Sequence, residues 1–175
     1  MSSSYIIQHK GLSLGRHNFT FNIGDNFFAD YPEGEVSEGN LCVNIELIKH
    51  STMLELSISI GGIVGITCDR CLEPMELPIE YGGKLLVKVQ QELGDANDEV
   101  WSVSENDHEL NLTHHLYESI CLSLPIQRVH GRDGAKPDAC DATMLRYIIQ
   151  SGQAGEQEGA NAIDPRWEKL RDKKY

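Results

Sequence analysis

The feature that most constrains the fold of this chain is a period-two alternation of apolar and polar residues. In residues 41–48 every second side chain is apolar, and the same pattern returns in residues 54–60 after a short polar link. Such alternation is typical of a strand with one buried face, and two runs joined by a few polar residues predict a β-hairpin. Extended runs at residues 4–9, 19–23 and 75–90 predict further strands.

The pattern becomes helical beyond residue 109. Apolar residues then recur every four positions, at Leu112, Leu116, Ile120 and Leu124. This spacing predicts an amphipathic helix that Pro125 ends, and a second short helix is predicted over residues 141–150. The predicted fold class is α+β: an antiparallel β-sheet in residues 4–103 that could close into a barrel, followed by C-terminal helices.

The domain organisation follows from length and composition. A chain of 175 residues is expected to form one domain or one domain with appendages. We predict a single α+β domain over residues 1–150. Residues 151–162 have almost no hydrophobic bulk, which predicts a flexible linker, and residues 163–175 form a basic C-terminal segment.

The net charge of −12 is concentrated in two places. Residues 25–46 contain six acidic residues and residues 92–109 contain seven, with no Lys or Arg in either stretch. The acidity excludes a protein that coats nucleic acid indiscriminately, because phosphate binding needs clustered Lys and Arg. It permits local basic surface elsewhere in the chain, and it permits a basic protein partner.

The N-terminus and the hydropathy of the chain predict the cellular compartment. The first residues have neither the cationic nor the apolar segment of a secretory signal, and no run approaches the ~18 apolar residues of a membrane helix. We therefore expect a cytoplasmic protein with no membrane partner and mostly reduced cysteines. Cys42 and Cys121 lie among apolar residues and are predicted to be buried thiols.

The sharpest local motif is the C-x-x-C sequence Cys68-Asp69-Arg70-Cys71. Two cysteines on a tight turn supply half of a tetrahedral zinc site, and the loop after the first helix offers the other half. The candidate metal ligands are Cys68, Cys71, His130 and Cys140. Two alternatives stay open: a pair of reduced thiols on a β-hairpin, and thiol–disulfide chemistry, which Pro74 disfavours because it hinders a helix from starting near Cys71.

Basic residues cluster in the loop after the first helix and in the last ten residues, where Trp167 lies among them. Positive charge beside an aromatic ring can follow phosphates and stack a base. The candidate RNA-binding residues are Arg70, Arg128, Arg132, Lys136, Arg166, Trp167, Lys169 and Arg171. The alternatives for the tail are a solvated helix with ordinary ion pairs, or docking onto the domain through Trp167 and Leu170.

These motifs together resemble a known family. The segment Cys68 to Pro74, which reads CDRCLEP, resembles the C-x-R-C-L-x-P signature of the YceD-like family of large ribosomal RNA subunit accumulation proteins. The helix from Leu112 to Leu124 with the following Pro125 looks like that family's helix ending in a leucine–proline pair. The tail from Asp164 to Leu170 is similar to its closing proline–arginine segment. Many relatives have several cysteines after the leucine–proline pair, where this chain has only His130 and Cys140.

The resemblance implies a bacterial ribosome-biogenesis factor that supports accumulation of large-subunit (23S) ribosomal RNA. Its partner would be ribosomal RNA or a pre-ribosomal particle, and its one candidate cofactor is zinc. The chain has no glycine-rich phosphate loop and no H-E-x-x-H motif, so we expect no enzymatic activity and no small-molecule substrate. The alternative function is an acidic protein-interaction module that holds a basic ribosomal protein.

Overall fold

The structure is a computed structural model that describes residues 5–90, 101–131 and 140–147. The chain is α+β with mostly strands, which confirms the predicted class. In chain order the elements are β1 (Ile6–Gln8), β2 (Gly15–Ile23), α1 (Asp25–Phe28), β3 (Val36–Lys49), β4 (Met53–Thr67), β5 (Pro74–Gln90), β6 (Trp101–Ser104), β7 (Glu109–Asn111) and α2 (Thr113–Ser123).

Five strands form the main sheet, in the order β2-β3-β4-β5-β6. β3 and β4 pair as the predicted antiparallel hairpin, with Ile45 opposite Ile58 and Leu47 opposite Leu56. Because alternate side chains point to the same face, the inward-facing side chains of this hairpin within residues 41–47 and 54–60 are all buried. Each such side chain stabilises the fold by about 1.5–3 kcal/mol. The buried residues are Leu41, Val43, Ile45, Leu47, Leu54, Leu56, Ile58 and Ile60.

Two features of the predicted sheet are wrong. The sheet is not a barrel, because β2 and β6 are its first and last strands and do not pair with each other within the described residues. The sheet is also not wholly antiparallel, because β6 runs parallel to β5, with Val87 opposite Trp101. Alternation is the same whichever way a strand runs, so the pattern carried no information about either strand direction or closure.

A second, two-stranded sheet pairs β1 with β7 antiparallel and brings Ile7 opposite Leu110, both buried. β7 leads directly into α2, whose first N–H, that of Thr113, donates to the side-chain oxygen of Asn111 at 2.9 Å. The predicted amphipathic helix is confirmed, since α2 buries Leu116 and Ile120.

The segment after α1 is held against α2 by aromatic rings. The ring of Tyr31 stacks on that of Tyr117 with a centroid separation of 3.7 Å and an interplanar angle of 4°. Phe27 contacts both rings. This stack fixes the chain just before Glu35, a residue that reaches the candidate site.

Residues 140–147 are described as a separate short stretch. Residues 142–147 are helical, within the predicted second helix, and the Asp141 side chain caps the start of this helix by accepting the Thr143 N–H at 2.7 Å. The rest of the predicted helix, the linker 151–162 and the basic segment 163–175 lie outside the described residues, so the domain organisation stays a prediction. Within the ranges that the structure describes, no helix is long and apolar enough to cross a membrane.

Candidate metal centre

The C-x-x-C motif forms a tight turn between β4 and β5. The Leu72 N–H donates to the Cys68 carbonyl at 2.9 Å, and the Cys68 N–H donates to the Glu73 carbonyl at 2.9 Å. Leu72 has a φ of 63°, in the left-handed region that side chains other than glycine rarely adopt. The turn therefore reverses the chain directly after the second cysteine and leaves both sulfurs on its inner side.

Both thiols are buried, and the surroundings of Cys68 favour its thiolate form. Burial alone raises the pKa of the Cys68 thiol, but the backbone N–H groups of Cys71, Arg70 and His130 and the Cys71 side chain donate hydrogen bonds to it. These bonds lower the pKa of Cys68 to about 6. A thiolate held by several N–H donors is the form in which cysteine binds a metal ion.

The loop that carries His130 is tied to this turn through its backbone. The Asp69 N–H donates to the Arg128 carbonyl at 2.8 Å, and the Arg128 N–H donates to the Asp69 carboxylate at 2.7 Å. Two residues further along, Nδ1 of His130 lies 3.5 Å from Sγ of Cys71. A side chain 59 residues away in sequence from Cys71 is thus brought to the turn.

The four predicted metal ligands form one Cys3His group. The ligand atoms of Cys68, Cys71, His130 and Cys140 all lie within 4.8 Å of one another. A tetrahedral zinc ion with Zn–S bonds of about 2.3 Å needs its sulfurs about 3.8 Å apart, so small adjustments of the side chains suffice. The group is near enough to hold a metal ion, and three thiols with one imidazole are a donor set that suits zinc.

The candidate RNA-binding residues in the described part of the chain have different surroundings. Arg70 is exposed at the tip of the turn. The side chain of Arg128 is only 20% exposed and forms ion pairs with Glu35 and Asp69. The hydrogen bond to Glu35 raises the pKa of Arg128. The other candidates lie outside the described residues: Arg132, Lys136, Arg166, Trp167, Lys169 and Arg171.

Two residues at the site were missed by the sequence interpretation. Asp69 lies inside the motif, but nothing in the pattern indicates that its carboxylate binds the backbone of residue 128. Glu35 is 93 residues from Arg128 in sequence and has no local signal at all. Ion pairs between distant segments depend on the folded chain path, which a single sequence does not show.

The two remaining cysteines, Cys42 and Cys121, are not part of this group. Cys42 is exposed, so its predicted burial is wrong: it occupies the solvent side of β3, between the inward-facing Leu41 and Val43. Cys121 is half-buried beside Tyr117, and burial is the main reason that its pKa is raised. A neutral thiol in such a setting behaves as a small apolar side chain.

A family model described as "Large ribosomal RNA subunit accumulation protein YceD" matches residues 56–173, which is more than half of the chain. The match begins within β4 and includes all four residues of the Cys3His group. No curated protein and no solved structure matches the chain.

Proposed function

Because this chain belongs to the YceD family of large ribosomal RNA subunit accumulation proteins, we propose that it is a non-enzymatic ribosome-biogenesis factor. Its role is to support accumulation of large-subunit (23S) ribosomal RNA by binding that RNA or a precursor particle. A cytoplasmic location in a bacterium accompanies this role, since that is where bacterial ribosomes are assembled.

The observation that carries the binding proposal is the C-x-x-C turn with Arg70 at its exposed tip. The turn is fixed on its inner side by buried thiols and backbone hydrogen bonds, while the guanidinium of Arg70 faces solvent. A rigid turn that presents a cation suits contact with an RNA phosphate, because little conformational entropy is lost on binding. From their charge in the sequence, Arg132, Lys136 and the basic tail are proposed to contribute to the same RNA binding.

Zinc is the proposed cofactor, with Cys68, Cys71, His130 and Cys140 as ligands. The burial of both Cys68 and Cys71 and the contact between Cys71 and His130 support this choice over a pair of free thiols. The metal would hold the Arg70 turn to the His130 loop and has no catalytic role. Elemental analysis of the purified full chain is expected to give about one zinc per chain, lost in Cys68→Ser. Folded wild-type protein without zinc would remove the metal from the proposal.

The RNA-binding proposal is tested by pull-down of the tagged full chain, read out as recovered large-subunit RNA. The same pull-down after RNase treatment shows which bound proteins depend on that RNA. We expect Arg70→Gln to recover several-fold less RNA than wild type, because one phosphate contact is lost. Arg16→Gln is the matched control, since Arg16 is also exposed but pairs with Glu46 on β3. Equal recovery by Arg70→Gln and wild type, or no RNA with either, would contradict the proposal.

A second candidate function is supported by the acidic end of the main sheet. Glu38 and Glu76 face Gly65 from the two neighbouring strands, and Ile63 nearby is 49% exposed. A groove of about 520 Å³ lies along these residues. Carboxylates around an apolar side chain are complementary to a basic protein segment, as the alternative function requires.

This alternative gives a different result in the same pull-down. A basic ribosomal protein held by the acidic groove remains bound after RNase treatment and is released by salt, because salt screens charge–charge attraction. Glu38→Gln should weaken that capture, and Arg70→Gln should not. If the partner is lost on RNase treatment, the RNA-binding role is favoured over the alternative.

A further inference from the structure

The guanidinium of Arg128 is directed at a carboxylate and away from solvent. Its Nη1 lies 2.6 Å from one oxygen of Glu35, and its Nη2 donates to the other oxygen at 3.1 Å. This two-point arrangement fixes the orientation of both groups, unlike a single contact between point charges. Arg128 is 20% exposed and Glu35 is 60% exposed, so the pair is partly shielded from water.

The backbone of the same residue is also fixed. Arg128 donates through its N–H to the Asp69 carboxylate and accepts the Asp69 N–H at its carbonyl. Its Nε lies 3.7 Å from the same Asp69 carboxylate. Arg128 is therefore held at its backbone by the C-x-x-C turn and at its side chain by the segment after α1.

The fixed residue lies two positions before the histidine of the metal centre. The backbone N–H of His130 donates to Cys68, and its ring reaches Cys71. A metal ligand on a loop binds well only if the loop holds it in the ligating geometry, and partners behind the ligands commonly provide this. Displacement of Arg128 would shift His130 relative to both sulfurs.

We propose that Glu35 and Arg128 are positioning residues of the metal centre, which act by holding the His130 loop against the C-x-x-C turn. The inference rests on the proposed zinc site. It gives Arg128 a role other than contact with RNA, because a phosphate would have to displace Glu35 from both guanidinium nitrogens.

The chain offers a matched control for this pair. Arg16 and Glu46 also form an arginine–glutamate pair, at 3.3 Å, on the exposed side of β2 and β3. Both pairs join segments distant in sequence, but only the Glu35–Arg128 pair is connected to a metal-ligand loop. Glu35→Gln and Glu46→Gln each remove one arginine–glutamate ion pair, so a difference in zinc binding between them reports the metal centre and not the loss of an ion pair as such.

The test is zinc affinity of the full chain, measured by competition with a chromophoric chelator, together with the absorption spectrum of the cobalt-substituted protein. We expect Glu35→Gln and Arg128→Lys to weaken zinc binding by about tenfold, the lower end of the usual effect of such partners. The cobalt spectrum should change in both variants, because the ligand geometry is altered. Arg16→Lys and Glu46→Gln should retain wild-type affinity and spectrum.

Zinc uptake by the wild type tests the metal site, and zinc affinity of the variants tests the positioning role of Glu35 and Arg128. Zinc affinity within twofold of wild type in both Glu35→Gln and Arg128→Lys would overturn the positioning role and leave the metal site standing. Wild-type protein that takes up neither zinc nor cobalt would overturn the metal site, and the positioning role with it. Glu35→Gln alone keeps the test valid if Arg128→Lys fails to fold, since Glu35 is largely exposed.

Discussion

His9 places a titratable ring inside the protein. The residue is buried, and its Nε2 has no hydrogen-bond partner within the described residues. Burial is the main reason that the pKa of His9 lies below 6.5, and the positive charge of Lys49 lowers it further, although Asp107 acts in the opposite direction. Lys49 is held close because its Nζ donates to the His9 carbonyl at 2.8 Å. The folded state thus favours the neutral imidazole.

This burial predicts that the protein loses stability in mild acid. Below pH about 6.5 the unfolded chain takes up a proton at His9 more readily than the folded chain, so the free energy of unfolding falls as the pH falls. His9→Gln should show a smaller loss between neutral pH and pH 5 in urea titrations. An equal loss in wild type and His9→Gln would show that His9 does not contribute to the acid sensitivity.

Leu72 offers a test of local backbone strain. Its φ of 63° costs a side-chain-bearing residue roughly 1–2 kcal/mol, whereas glycine adopts it freely. The side chain is 65% exposed, so little burial is lost on truncation. We expect Leu72→Gly to raise the free energy of unfolding by up to about 1 kcal/mol, after the greater entropy of unfolded glycine is subtracted.

Leu14 provides the matched control for this substitution. It is 68% exposed but is not among the positive-φ residues of the described chain. Leu14→Gly should therefore lower the free energy of unfolding by about 0.5–1 kcal/mol, through unfolded-state entropy alone. Equal destabilisation by both substitutions in urea titration would contradict the strain at Leu72.

Among the elements, β4 depends on a glycine for its pairing with β3. Gly62 has a φ of 150°, and an added Cβ would lie 2.2 Å from the Asn40 carbonyl oxygen and 2.9 Å from Cα of Leu41. An added Cβ at the neighbouring Gly61 would have no atom within 4 Å. Only one of the two adjacent glycines is therefore required by the sheet.

Alanine substitutions at Gly61 and Gly62 should therefore differ in their effect on the free energy of unfolding. Gly62→Ala is expected to lower the free energy of unfolding by roughly 2–4 kcal/mol, because it combines backbone strain with a clash against the neighbouring strand. Gly61→Ala should change it by less than about 0.5 kcal/mol. Thermal or urea unfolding of the two variants measures the difference, and similar values for both would refute the close approach of β3 to Gly62.

At the scale of the whole molecule, the apolar core and the candidate metal centre are distinct. The core of the main sheet consists of aliphatic residues such as Leu47, Leu54 and Leu56, which need no metal to pack. The residues of the candidate metal centre instead lie on two loops that polar contacts join, namely the turn at residues 68–72 and the segment at residues 128–130. Loss of a metal should loosen these loops more than it loosens the sheet.

Chelation of the zinc-loaded protein tests this separation. We expect amide hydrogen exchange at residues 68–72 and 128–130 to accelerate by about tenfold or more, while β3 and β4 stay protected. Mass-spectrometric exchange with and without chelator gives the comparison region by region. Faster exchange over the whole sheet would mean that the metal stabilises the entire fold. Unchanged exchange in the two loops would mean that the metal stabilises neither the loops nor the sheet.

The sequence by itself determined the elements whose pattern is local. Alternation identified the β3–β4 hairpin and its buried face, four-residue spacing identified α2, and the C-x-x-C motif identified the turn between β4 and β5. It also predicted the Cys3His group and the family that the comparison then showed. Alternation, four-residue spacing and the C-x-x-C motif are each visible in a few neighbouring residues. The Cys3His group was predictable because cysteine and histidine are both zinc ligands.

Only the tertiary structure decided how distant segments meet. It made β6 parallel to β5, left the sheet open, exposed Cys42 and joined Glu35 to Arg128. Side-chain pattern reports which faces are buried, but strand direction, sheet closure and long-range ion pairs depend on the path of the whole chain. For Arg128 the pattern could show a positive charge, and only the fold could show that Glu35 already binds it.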